Sequence, residues 1–159
     1  MPQLELVALI VRDYERAIDF FVRVLGFDLV EDVASFTNDG RPKRWVVVRP
    51  VGAATGILLA RADGERQVAA VGQQFAGRVG FFLRVEDFGA TFARLSAARV
   101  EFVSPPRSEP YGDVAVFLDL AVKLAKLLHH PDRDRVHLVR AIERDAGGMA
   151  ALFVKQGVP

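Results

Sequence analysis

Acid–base, nucleophilic and metal chemistry depend on histidine, cysteine and carboxylate side chains at suitable spacings, and this sequence offers few of them. It has three histidines, His129, His130 and His137, and no cysteine. Disulfides, thiolate metal sites and cysteine nucleophiles are therefore excluded. The pair His129-His130, followed by Asp132 and Asp134, looks superficially like a metal site. Adjacent residues point apart on a strand and diverge by about 100° on a helix, so they chelate poorly. A solvated helix end accounts for them better. No Ser-His-Asp arrangement is legible, because all the histidines fall in the C-terminal tail.

The remaining candidates lie elsewhere. Arg107, Glu109 and Tyr111 share a proline-rich stretch, Pro105 to Gly112. Proline lacks a backbone donor and fixes the chain direction, so this stretch reads as a stiff loop. Glu109 could serve as a general base, and Tyr111 as an acid or hydrogen-bond donor. A surface ion pair beside an aromatic rim residue explains the same residues more plainly. Trp45, the sole tryptophan, offers an apolar face and one donor to a cleft, or simply fills a core. Phe36, Phe81 and Phe117 could add aromatic walls, although aromatics on sheet faces are usually core.

The elements that must position these residues begin with Leu4 to Val30. Leu4, Leu6, Ala8 and Ile10 alternate with Val7, Leu9 and Val11, a strand apolar on both faces and so expected to be buried on both sides. Asp13 is placed to cap a following helix, whose stripe is Tyr14, Ala17, Ile18, Phe21, Val22 and Leu25. Arg16 stands where a capping box would need an acid or amide. Gly26 suits the left-handed helix end. Phe27 to Val33 is extended, Thr37-Asn38-Asp39-Gly40 is a turn, and Arg44 to Val48 and Ile57 to Ala60 form a hairpin across the turn Pro50 to Gly56.

A weaker copy returns at Arg78 to Val103. Val85-Glu86-Asp87-Phe88 aligns with Val11-Arg12-Asp13-Tyr14, and Leu95 with Phe21. Two similar β-α-β-β-β modules follow, in an α+β fold. Module one spans 1–61, a polar linker with a turn of helix near Val68 to Phe75 spans 62–77, module two spans 78–130, and 131–159 is a helical C-terminal extension. In module two the helix runs from about Asp87 to Ala98, and Val114 to Leu118 is a buried strand.

Composition bounds the function. In 159 residues, 51% are hydrophobic, ample for a core, and the net charge of +1 gives no reason to expect nucleic acid or an anionic membrane. No run is long enough to cross a bilayer, and MPQLELV lacks the features of a signal peptide. A soluble cytoplasmic protein is the expectation.

The segments VALIVRDYERAIDFFVRVLGF, KRWVVVRP, GRVGFFLRVEDFGATFARLSAARVEFV and PPRSEPYGDVAVFLDL resemble the vicinal oxygen chelate superfamily. That group comprises glyoxalases, bleomycin-resistance proteins and extradiol dioxygenases, and the likeness runs from about Leu4 to Leu128. It implies paired modules, each a curved sheet around a cleft, and a homodimer. Active members commonly bind a divalent metal through ligands on the first, fifth and eighth strands. Carried over, those positions are Leu6, Gly80 and Lys126. Leucine and glycine offer no donor atom, and a protonated lysine repels a cation.

The resemblance thus implies a metal-free protein, without cofactor, that binds a small planar or partly aromatic molecule as drug-sequestering relatives do. Trp45, Phe81, Arg107, Glu109, Tyr111 and Phe117 are then the ligand-binding candidates. The alternative is a glyoxalase-type lyase or related enzyme with a non-standard ligand set, and a degenerate member with no ligand is a third possibility. The family's last strand is also in question. Leu120, Leu124, Leu127 and Leu128 lie at helical spacing, with Lys123 and Lys126 on the other side and Pro131 as a stop. A helix over 120–130 is expected in place of that strand, leaving a sheet edge to the tail or to a second subunit.

Overall fold

The computed structural model describes residues 1–110, 112–118 and 150–154. The chain divides into two units, Met1–Val71 and Gly72–Pro159. Each contains one of the two modules.

In the first unit, β1 (Leu6–Val11), β2 (Asp28–Phe36), β3 (Pro42–Arg49) and β4 (Gly56–Arg61) form one sheet in the order β1-β4-β3-β2. β1 and β4 run parallel, and the remaining neighbours are antiparallel. Asp13 caps α1 (Tyr14–Ile18), its Oδ1 accepting from the Arg16 amide at 2.9 Å. From Asp19 to Val24 the winding widens to a π-helix, a departure from the simple α-helix expected. The chain leaves it at Gly26, with φ of 79°. The wider turn seats adjacent Phe20 and Phe21 together in the core beside Tyr14 and Ala17.

The expectation that β1 is buried on both faces needs correction. Leu9 and Val11 are buried beneath the helical segment, whereas Ala8 is exposed and Leu6 and Ile10 are half-buried. β2 is open on both faces along nearly its whole length, with Leu29, Val30, Val33 and Phe36 exposed. The linker holds a short α2 (Gly64–Ala70), which begins earlier than the helical turn expected near Val68.

In the second unit, β5 (Val79–Arg84), α3 (Phe88–Ala97), β6 (Glu101–Phe102), β7 (Arg107–Glu109) and β8 (Gly112–Leu118) follow in order. Asp87 caps α3 as Asp13 caps α1, accepting from the Ala90 amide at 2.9 Å. The stretch read as a stiff loop contains β7. Both β6 and β7 pair with β8, and the register slips by two residues between them, where Pro105 and Pro106 lie.

The last strand is the main difference from the sequence reading. β9 (Ala150–Val154) lies between β5 and β8, parallel to the first and antiparallel to the second, giving the order β5-β9-β8-β6. Part of the extension read as helical is therefore the fourth principal strand of module two. Its sheet is not left short of a strand, because the tail supplies one. The helix expected over 120–130, and the remainder of the 131–159 extension, lie outside the described residues.

Candidate functional site

The site begins with a break in strand pairing. β3 and β4 pair at Val46–Leu59, Val47–Leu58 and Val48–Ile57. Continuing that register would set Arg44 opposite Arg61. Instead the Tyr14 hydroxyl, from the first residue of α1, enters between them. It donates to the Arg44 carbonyl at 3.0 Å and accepts from the Arg44 amide at 3.3 Å. One hydroxyl thus satisfies both backbone groups that β4 would otherwise have paired.

A cavity of about 260 Å³ opens there. Its apolar walls include Trp45, Leu58 and Ala60, and its charged rim holds Arg41, Lys43, Arg44, Arg61 and Asp63. Trp45 is half-buried and Tyr14 almost fully buried. The guanidinium carbons of Arg44 and Arg61 stand 5.0 and 5.6 Å from the Tyr14 ring centroid. A cation over an aromatic face is attracted by the ring quadrupole.

Arg44 pairs with Asp32 and Glu15, and its Nε–H donates to Asp32 at 2.9 Å. That hydrogen bond holds the Asp32 carboxyl below the usual carboxylate range. Arg41 joins Asp39 and Asp63, donating to Asp39 at 2.8 Å through Nε and to Asp63 at 2.8 Å through Nη1. Asp63 is lowered chiefly by Arg41, and Asp39 by hydrogen bonds from Thr37 and then Arg41. Arg41 and Arg44 are raised further into the charged state by the same pairs. Asp63 consequently does not cap α2 with its carboxylate, and its amide bonds to the Gln67 side-chain oxygen at 2.9 Å.

Of the residues singled out from sequence, Trp45 alone lines this cavity. Phe117 is fully buried and packs against Phe102, so it belongs to the core of its sheet. Phe81 is half-buried and stands edge-on to Phe75. Arg107 and Glu109 pair with each other at 2.7 Å as an exposed ion pair. Tyr111, Lys126 and the three histidines lie outside the described residues. Tyr14, Lys43 and Arg61 were missed. A signal for Tyr14 was present, since the repeat aligns it with Phe88, which has no hydroxyl.

The metal positions carried over from the resemblance take a definite form. Leu6 on β1 has no donor atom. Gly80 sits at an irregularity between Val79 and Phe81, and a Cβ there would meet the Phe75 ring at 2.2 Å. Lys126 lies outside the described residues, and β9, the strand between β5 and β8, has the sequence AALFV, which contains no carboxylate or imidazole. Among the described residues no group of three or more His, Asp or Glu could hold a metal ion. The residues at these positions do not fit a divalent cation.

Comparison with known proteins agrees with this architecture. The family model for the Glyoxalase/Bleomycin resistance protein/Dioxygenase superfamily matches residues 3–137. An uncharacterized protein of Shewanella frigidimarina (strain NCIMB 400) is 44% identical over 131 residues, covering 82% of this chain and 95% of the relative. TnmS3, an antibiotic binding protein from Streptomyces sp. CB03234, is 26% identical with a TM-score of 0.61, covering 99% of this chain and 98% of its own. A glyoxalase/bleomycin resistance protein from the same Streptomyces is also 26% identical, with a TM-score of 0.57, covering 96% of this chain and 100% of its own.

Proposed function

The chain belongs to the glyoxalase/bleomycin resistance protein/dioxygenase superfamily, and from that premise we propose that it is a metal-free, cytoplasmic small-molecule-binding protein of the drug-sequestering type. The observation that carries this reading is the Trp45 cavity of about 260 Å³. It joins an aromatic wall to convergent polar groups, the two kinds of surface that a ligand site combines. The likeness to an antibiotic binding protein supports the same reading.

The reading includes a homodimer. Its support is the open edge strand β2, whose exposed Leu29, Val30, Val33 and Phe36 would face water in a monomer. Light scattering on the purified chain gives the oligomeric state directly.

Trp45, the sole tryptophan, is a built-in reporter. Titration with 1-naphthol, benzamide and benzoate is expected to change its emission and raise the melting temperature, as ligands that bind the native state do. Added Zn²⁺, Ni²⁺, Mn²⁺ or Fe²⁺ is expected to leave the melting temperature unchanged. No response to any aromatic probe, or a clear shift on adding one metal, would overturn the proposal.

A further inference from the structure

Four cationic side chains border the cavity, and they are not equivalent. Arg44 is engaged by Asp32 and Glu15, and Arg41 by Asp39 and Asp63. Among the described residues Arg61 and Lys43 have no such carboxylate partner within ion-pair distance. Arg61 lies over the Tyr14 ring, which Arg44 also faces, and it is exposed. The ring gives the guanidinium a flat surface to lie against, and among the described residues no carboxylate closes on its hydrogen-bonding fork. Arginine's planar fork matches a carboxylate in a bidentate manner.

The apolar wall projects from the face of β4 opposite Arg61, which follows Ala60 as the strand's last residue, so the two parts meet only at the strand's end. Trp45, Leu58 and Ala60 present hydrophobic surface in the same cavity. A guest with a flat apolar body and one anionic group would cover both parts. Asp63 is the only acidic residue among the described lining residues; Arg41 holds it by hydrogen bonds, and Arg61 acts on it through space without closing to ion-pair distance. The Gln67 amide adds a polar group beside it.

Building on the small-molecule reading above, we infer that the Trp45 cavity selects planar aromatic carboxylates, with Arg61 as the principal carboxylate-binding residue and Lys43 as a second cation. The aromatic body rests against Trp45, and the charge is met at the rim. Neutral planar molecules of the same shape bind more weakly, since they leave Arg61 unpaired.

Benzoate and benzamide test this, because they share a shape and differ in charge. Each is titrated into the full chain, with Trp45 emission and the melting temperature as readouts. Benzoate is expected to bind about ten-fold or more tightly than benzamide, the scale of a charge-assisted hydrogen bond. In Arg61→Gln that preference should disappear while benzamide binding persists, with the far-UV spectrum confirming that the variant folds. Lys43→Gln should reduce benzoate affinity by a smaller factor, and added salt should weaken benzoate alone. Equal binding of the two probes, or benzoate binding untouched in Arg61→Gln, would overturn the inference and leave the small-molecule reading standing. Failure of both probes and of 1-naphthol would overturn the two together.

Discussion

The two modules share a plan and differ in four respects. Both sheets set their first, fourth, third and second principal strands side by side. Both helices are capped by an aspartate that accepts from the amide three residues on. Yet β3 and β4 separate beyond Val46–Leu59, whereas β8 and β9 pair at five successive positions. Tyr14 inserts a hydroxyl where its counterpart Phe88 has none. Gly26 ends the first helical segment in the left-handed region, where the second module uses Arg99 at φ of 59°. One module takes its fourth strand directly from the next turn, and the other takes it from 150–154. Sheet order is the firm element of this fold, and single side chains decide where it opens.

Removing β9 gives the sharpest test of that view. A chain ending at residue 149 leaves β5 and β8 without the strand between them. Module two is expected to lose its cooperative unfolding transition, while hydrogen exchange stays slow in β3 and β4. Retained protection in both β5 and β8 would show that β9 is dispensable to the sheet.

Gly80→Val comes next. The Phe75 ring occupies the space of any side chain at that position, and overpacking of this kind costs about 1–3 kcal/mol, sometimes more. Denaturant unfolding should show the loss, and Phe75→Ala in the same chain should restore part of it through a non-additive term. Additive effects would mean that the two residues are not opposed.

Tyr14→Phe makes module one resemble module two. It removes the partner of a part-buried amide and carbonyl, at a cost of about 1–3 kcal/mol. For a chain of this size that lowers the melting temperature by roughly 2–4 °C per kcal/mol. The same variant should alter Trp45 emission, because the cavity depends on the wedge. A melting temperature and emission both unchanged would remove Tyr14 from the account of the site.

Arg99→Gly has the smallest expected effect and the opposite sign. Relief of the left-handed conformation stabilises by about 1 kcal/mol, reduced by glycine's greater chain entropy when unfolded. A small rise in melting temperature is expected, and a fall would show that Arg99's side chain contributes more than its backbone costs.

Much of this plan was legible in the residues. Asp13, Asp87 and Gly26 act over a single helical turn, so local pattern located them. The hairpin of β3 and β4 was equally local, marked by its turn. The last strand was not. Leu120, Leu124, Leu127 and Leu128 carry a helical period, and nothing within a few residues of Ala150 announces a partner as distant as Val79 or Leu118. The half-covered state of β1 was also missed, because alternating apolar residues do not reveal which face a helix will cover. The site was legible only in Trp45. Its other essential part, a hydroxyl standing in for a strand, depends on residues thirty apart in sequence meeting in space.

The place of β9 also bears on how the protein is made. Module one has all its strands once residue 61 has emerged from the ribosome, and its contacts can form while the rest is still being synthesised. β5 and β8 must wait for the strand that lies between them, which is translated after both. Until then each presents an unpaired edge open to the wrong neighbour. Loop closure over such a span is slow compared with a hairpin. A nascent chain halted in 119–149 would carry one finished module and one that has no means of closing.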